Sequence, residues 1–341
     1  MKVIYEEHVA VRKKPLNLQE SDLHLFKDEL ERKIRETHVL TLHDVYLVNS
    51  IIFSLSRLKF YTSYTYPPFD NFGLKSIGLN LFILLKMSKF LFPTKKESLL
   101  QAVWIADRRS NEYFHWLTDA LPRLVVAKDF VGNHPLVLPE HYKKYRYITE
   151  SLKLFDIPVR FCESSTKLKI HELILPSHTA MSGNYNKVVI NKLRDIFLLR
   201  FKDTAPNRLI YISRKKAQKR KVANEDDVVA LLEKFKYEVH YFEDYSFEQQ
   251  VRICAQTKSL IGLHGAGLTN MLFMQAHGQV LELRNENDCH NNCYFSLASD
   301  LSIDYYYQLS KGNKNDTHTV DVSVDLNELQ RNLELMKASS K

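Results

Sequence analysis

Apolar and polar positions alternate most legibly in the last third of the chain. Arg208-Leu-Ile-Tyr-Ile212 is a β-type run. From Asn224 to Phe235 apolar residues fall at Val228, Val229, Leu231, Leu232 and Phe235, the spacing of a helix, with acidic residues in its first turn and Asn224 as N-cap. Tyr237 to Phe242 reads as strand, and Ser246 opens a second helix to about Ala255. Leu260 to Leu263 is strand again, followed by a glycine-punctuated turn, a helical stretch Leu268–Met274 and a strand at Val280–Leu283. This β-α-β-α-β-α-β succession at short spacing predicts a parallel sheet with helices on both faces, a Rossmann-like domain. Val324 to Met336 reads as a terminal helix.

The N-terminal half has shorter signals. Ser21 to Glu36 reads as helix, Val39 to Ser54 as strands, and the aromatic, proline-bearing Tyr61 to Phe72 as loop. Ala102-Val-Trp-Ile-Ala106 is strand and Glu112 to Lys128 helix, with further strands at Leu136–Leu138 and Leu173–Leu175. A second α/β domain follows, and a helix from about Asn186 runs up to the break. The polar stretch after Phe201 divides the chain into 1–203 and 204–341.

Length and composition support two globular domains. The chain has 341 residues, 45% hydrophobic and 26% charged. Its formal net charge is +8, which suits a phosphorylated, nucleotide-like or membrane-anionic partner. The basic residues are dispersed and no recognition motif appears, which disfavours nucleic acid. Met1 to His8 has no apolar signal core. Ile77 to Leu85 is too short and too soon broken by Lys86 to span a bilayer, and reads as a core helix or an amphipathic surface helix. Of the four cysteines, Cys289-His290-Asn-Asn-Cys293 looks superficially metal-like but lacks a second pair at zinc spacing. A reduced cytosolic protein is the expectation.

Three segments carry candidate chemistry. His264-Gly265-Ala266-Gly267-Leu268-Thr269-Asn270 takes a strand through glycines into a helix, which presents bare N–H groups to a phosphate or diphosphate. A tight turn without a ligand is the alternative. Asn111…His115…Asp119…Arg123 lies on a predicted helix. Four residues apart, His115 and Asp119 share a face, so the carboxylate can orient the imidazole as a base for a sugar hydroxyl, or the pair can be a buried structural bond. Arg214 ends a strand and has a fork suited to phosphate, with Arg220 in the following basic loop, while Lys215, Lys216 and Lys219 read as solvated. Glu282 sits inside an apolar strand, so it either accepts from ribose hydroxyls or pairs with a nearby basic group.

The ordered series Asn111…His115-Trp-Leu…Asp119…Leu121-Pro122-Arg123, Tyr211-Ile212-Ser213-Arg214, Asn224-Glu225, His264–Asn270 and Val280-Leu-Glu282 resembles the motifs of the family-61 glycosyltransferases. That family contains bacterial capsule and lipopolysaccharide enzymes, plant xylosyl- and arabinosyltransferases and animal protein O-linked N-acetylglucosaminyltransferases. The resemblance covers roughly residues 100 to 310. It implies an α/β fold of GT-B type, two Rossmann-like domains facing a cleft, with an acceptor-side domain over 1–203 and a nucleotide-sugar domain over 204–341. It implies inverting transfer from a nucleotide-diphosphate sugar to a glycan or lipid-linked glycan, without an obligatory metal or other cofactor. His115 and Asp119 become the catalytic candidates. Arg214, Arg220, His264, Gly265, Ala266, Gly267, Thr269, Asn270 and Glu282 become donor contacts, and Asn111 and Arg123 acceptor-side residues. No Asp-X-Asp triplet occurs in the chain. The expectation is bacterial surface polysaccharide synthesis in the cytoplasm, at the inner membrane face where a basic protein meets anionic lipid. A non-catalytic nucleotide-sugar-binding protein is the alternative of another class. An NAD-dependent oxidoreductase is disfavoured, because the glycine turn lacks Gly-X-Gly-X-X-Gly spacing and comes late in its domain.

Overall fold

Alternation over Thr37–Val48 and over Thr166–Ile170, the latter continued by the apolar Leu173–Leu175, places the two longest strands side by side in one mixed sheet. The computed structural model describes residues 1–66, 91–93, 95–201, 203–288, 291–314 and 319–339. The stretch Ile77–Leu85 and the pair Cys289-His290 therefore lie outside the described residues. The chain forms two units, Met1–His8 with Lys33–Val189, and Val9–Arg32 with Ile190–Lys341.

In chain order the strands begin β1 (Lys2–Tyr5), β2 (His8–Val11), β3 (Glu31–Ile34), β4 (Thr37–Val48), β5 (Ile51–Ser54) and β6 (Lys59–Phe60). They continue β7 (Lys95–Val103), β8 (Leu136–Pro139), β9 (Val159–Cys162) and β10 (Thr166–Pro176). β2 and β3 pair with each other in a separate sheet. The first unit's sheet runs β6-β5-β4-β10-β7-β8-β9, with β1 on β4. β10 is antiparallel to β4 and parallel to β7, with Val103 opposite Ile174. The carboxyl ends of β7 and β10 therefore emerge together. β4 turns into β5 through Asn49 (φ 49°) and Ser50 (φ 62°), the left-handed pair that a two-residue hairpin requires.

The second unit's strands are β11 (Arg208–Ile212), β12 (Glu238–His240), β13 (Thr257–Leu263), β14 (Gln279–Asn285), β15 (Asp304–Gly312) and β16 (Val322–Ser323), in the order β12-β11-β13-β14-β15-β16. The first five are parallel and β16 is antiparallel. Helices Glu225–Lys234 and Leu326–Ala338 bury Val228, Leu232, Leu329 and Leu333 against Tyr211, Ile261 and Leu281. Ser246 caps helix Phe247–Ala255 with a reciprocal box through Gln249. Asn224 does not cap its helix. Its side chain instead donates to Val324 O and accepts from Val324 N–H, at 2.9 and 3.0 Å.

The chain enters the second unit earlier than its polar stretch suggests, inside helix Lys187–Leu198. The reason is packing. Asn191 donates to Asp300 O at 2.8 Å, and Phe197 stacks edge-on against Phe247 and Phe273. Val9–Arg32 also groups there, because the buried Arg12 pairs with Glu29 and Asp300, each at 3.1 Å. Within that segment the helix is shorter than its sequence suggests, Leu23–Leu30, since β3 begins at Glu31.

Candidate active site

In the first unit the chain leaves β7, turns at Asp107 and enters a helical run from Tyr113 to Val131. Its second turn, Trp116–Ala120, is widened to π form, and the Leu121 N–H reaches Trp116 O five residues back. Pro122 accounts for the widening: it brings no N–H, and its ring would clash with an α-helical carbonyl four residues back. His115 lies at the start of this turn and Asp119 near its end. His115 Nδ1 is 2.7 Å from Asp119 Oδ2. The Ser182 hydroxyl donates to the same oxygen at 2.9 Å and lies 3.2 Å from Nδ1. With Nδ1–H held by the carboxylate, the lone pair is on Nε2, which faces Glu112 at 3.8 Å. Both residues are buried.

A second acid–imidazole pair stands at the same strand ends. Asp107 follows β7 and His178 follows β10, with Oδ2 and Nε2 2.9 Å apart. Ser110 Oγ and Arg109 N–H, at 2.9 and 2.8 Å, hold the other oxygen. Burial pushes the Asp107 carboxyl up, but His178, Arg123 and the Arg109 amide outweigh it and hold it well below the usual range. Burial, then the Arg123 charge, lowers His178 despite Asp107. The sequence offered no local signal for the Asp107–His178 and Ser182–Asp119 pairings, because they span 71 and 63 residues.

Arg123 is fully buried. Its Nε and Nη2 donate to Pro176 O at 3.1 and 2.8 Å, and Nη1 donates to Ile105 O at 2.6 Å. Burial lowers its pKa to about 10 against the pull of Asp107, Tyr64 and Asp119. Arg123, expected on the acceptor side, has its guanidinium tied to the carbonyls at the ends of β7 and β10. Asn111 is half-buried and outside the helix. Its amide donates to the Tyr145 hydroxyl at 3.2 Å, and its carbonyl accepts from the Tyr147 hydroxyl at 2.5 Å.

In the second unit β11 is followed by a helix leading to β12, whereas β13 leads to β14 on the opposite side. The sheet's switch point therefore lies between β11 and β13, where ligands of such sheets bind. Arg214 and the glycine turn emerge on its two sides, since Ile212 pairs with Gly262. The Arg214 guanidinium donates to Arg220 O and Lys219 O at 2.8 and 2.9 Å and lies over Gly265. Arg220, at φ 56°, brings its own guanidinium to the same glycine, and its buried Nε has no hydrogen-bond partner among the described residues. Burial, then the Arg220 charge, lowers the Arg214 pKa. Two crowded guanidinium groups at a switch point suit an anion. Glu225 supports the turn, accepting from the Tyr211 hydroxyl at 2.8 Å and the Arg214 N–H at 3.3 Å. Lys215 and Lys216 make exposed pairs with Asp226 and Asp244.

The glycine turn opens a 3-10 helix, Ala266–Phe273, with Ala266 and Gly267 partly exposed at its start. Thr269 and Asn270 are buried, and the Asn270 amide donates to Gly267 O at 2.9 Å. Asn270 thereby braces the turn. Glu282 takes the paired alternative. It is completely buried in β14, with one oxygen on His264 Nδ1 and the other accepting from the Tyr305 hydroxyl at 2.5 Å. Burial pushes its carboxyl up, but His264, Arg284 and Tyr305 together hold it low. Glu282 is a support for His264, whose Nε2 accepts from the Asn291 amide at 3.0 Å. Among the described residues no group of three or more His, Cys, Asp or Glu is placed to hold a metal ion.

Residues 113–281 match the family model described as Glycosyltransferase 61. The match begins two residues before His115 and ends in β14, so it includes the His115–Asp119 helix, Arg214 and the glycine turn. The chain is 41% identical over 101 residues to the EGF domain-specific O-linked N-acetylglucosamine transferase of Drosophila melanogaster, covering 29% of this chain and 19% of that protein. The protein of the same name from Mus musculus is 37% identical over 91 residues, 25% of this chain and 17% of the relative. That from Xenopus laevis is 30% identical over 145 residues, 41% of this chain and 27% of the relative. The chain thus matches less than a third of the length of each of these relatives.

Proposed function

We propose that this protein, whose residues 113–281 are a glycosyltransferase 61 region, transfers a sugar from a nucleotide-diphosphate donor to a hydroxyl of a glycan acceptor. The observation that carries the reading is the imidazole of His115 held by Asp119 at 2.7 Å in a proline-widened helical turn. His115 Nε2 takes the acceptor proton, while Asp119 fixes the tautomer and stabilises the imidazolium. The acceptor oxygen attacks the anomeric carbon as the bond to the diphosphate breaks, a single displacement that inverts the configuration. Arg214, Arg220 and the amides at the start of the 3-10 helix offset the charge on the departing diphosphate. We read the two units as the halves of a GT-B-type enzyme, the second holding the donor and the first supplying the base. The family resemblance and the net charge of +8 support a further reading: a cytoplasmic enzyme of bacterial surface polysaccharide synthesis, in contact with anionic membrane and lipid-linked acceptors. The relatives are named for N-acetylglucosamine transfer, so UDP-N-acetylglucosamine is the first donor to test.

The test is donor consumption by the purified chain with a panel of nucleotide sugars. His115→Ala and Asp119→Ala should each reduce turnover by about 10²-fold, the lower range for losing a general base, with donor affinity nearly unchanged. The double variant should be little worse than the poorer single one, since the pair acts as a unit. Donor binding without any consumption across the panel would favour a non-catalytic nucleotide-sugar-binding protein. Loss of melting temperature and donor affinity in step with turnover would make the pair a structural bond.

A further inference from the structure

The first unit holds a cavity of about 430 Å³ apart from the His115–Asp119 pair. It opens where three adjacent parallel strands end: Trp104 follows β7, Glu140 and His141 follow β8, and Glu163 and Ser164 follow β9. Ser50, in the tight β4–β5 turn, lines it as well. Other lining residues, Leu47, Asn49, Ser50 and Thr166, lie at the amino end of β10, so the cavity is not confined to the carboxyl edge of the sheet. The volume suits a small ligand.

The lining chemistry narrows the class. Carboxylates, an imidazole and hydroxyls meet there beside the buried Trp104, and among the described residues no lysine or arginine lines the cavity. In a chain of net charge +8 this is a local exception. Lys143 pairs with Glu140 at 2.7 Å, and Lys95 lies near enough to attract Glu163. A diphosphate would meet negative charge without a lining cation. A neutral polyol would find carboxylate and hydroxyl partners for its own hydroxyls, while Trp104, 1% exposed, borders the cavity without an open ring face. The cavity also adjoins the proposed catalytic helix. Its lining residue His141 contacts the Tyr142 ring at 4.8 Å, and Tyr142 packs on Trp116 at 6.2 Å and donates to Asp107 O at 3.3 Å.

We propose that this cavity is a saccharide subsite that binds a neutral pyranose unit of the acceptor glycan. This rests on the transferase reading above, but its test does not depend on turnover. The chain has only two tryptophans, Trp104 in the cavity wall and Trp116 beside His115. Labelling the full chain with 5-fluorotryptophan gives one reporter for each, assigned with Trp104→Phe. The methyl glycosides of N-acetylglucosamine, glucose, galactose and mannose are titrated without donor. At least one should shift the Trp104 fluorine resonance saturably, and UDP should leave it in place. Glu163→Gln should weaken that binding about tenfold, as expected for losing a hydrogen bond to a charged group. Ser164→Phe should abolish it by filling the opening. Both side chains are exposed, so the melting temperature should not change. The proposal falls if no glycoside up to about 0.1 M moves the Trp104 signal, a concentration far above useful affinities. It also falls if UDP moves it, or if the shift survives Ser164→Phe. A sugar-dependent Trp104 shift in a protein that consumes no donor would keep the subsite and sink the transferase. Donor consumption with a silent Trp104 would do the reverse.

Discussion

Single side chains decide both candidate sites. A Cβ on Gly265 would stand 2.6 Å from Arg214 Nη1 and 3.1 Å from its Cζ, so any larger residue displaces that guanidinium. Glycine is needed here for a close approach, and the loss on Gly265→Ala should follow the loss on Arg214→Ala. We expect Arg214→Ala to weaken nucleoside-diphosphate binding by about 1.5–3 kcal/mol, the range for a hydrogen bond to a charged group. Calorimetry with UDP checks this, and unchanged affinity in both variants would leave Arg214 as a loop anchor. His178 makes a pH-dependent prediction. Its folded pKa lies below the ordinary value near 6.5, so below that pH the unfolded chain takes up a proton that the folded chain refuses. Asp107 is held below 3.8, and its stabilisation is lost only as pH falls beneath that value. Melting temperature should therefore decline from pH 7 to pH 5, and His178→Gln should make the decline shallower. Equal slopes for the two proteins would remove His178 from this role.

At the scale of elements, the helical run Tyr113–Val131 combines a legible pattern with one feature that is not. His115 and Asp119, four apart, point to a shared face, and they do pair. The π turn between them depends on Pro122 having no N–H. Pro122→Ala removes the obstacle and lets the turn tighten to α form. We expect the melting temperature to hold or rise and turnover to fall by about tenfold or more, because small misplacement of a catalytic group is costly. Retained turnover in a variant whose structure has lost the wide turn would show that the geometry is incidental. Other elements were hidden for physical reasons. Helix Cys293–Asp300 buries seven of its eight residues, so it has no polar face to give a period. The first half of β7 is exposed and charged, Lys-Lys-Glu-Ser, and only its pairing with β10 makes it strand.

At the scale of the molecule, the question is how the diphosphate charge would be neutralised. The sequence has no Asp-X-Asp triplet. Arg214 and Arg220 converge on Gly265 at the switch point of the second unit. On the proposed function, in which these cationic side chains and helix-start amides carry the diphosphate charge, turnover should survive EDTA. Abolition by chelation with recovery on adding Mg²⁺ or Mn²⁺ would overturn the metal-independent reading.

The sequence by itself determined what local spacing can encode. β11 lies where its apolar run lies, the capping box at Ser246 is read directly, and the glycine turn joins a strand to a helix as its residues require. The pairing of His115 with Asp119 follows from helical repeat. Tertiary structure decided everything that depends on residues distant in the chain. It brought Asp107 to His178 across 71 positions, carried Ser182 onto Asp119, and turned Arg123 inward to strand-end carbonyls. It buried Glu282 against His264 and Tyr305 instead of leaving it at a strand mouth. It also drew Val9–Arg32 into the second unit through Arg12 and Asp300, 288 residues apart. A charged residue in an apolar run signals that it must find partners, because burying it alone is too costly. Which partners it finds depends on how strands are ordered in a sheet, and local pattern carries no record of that order.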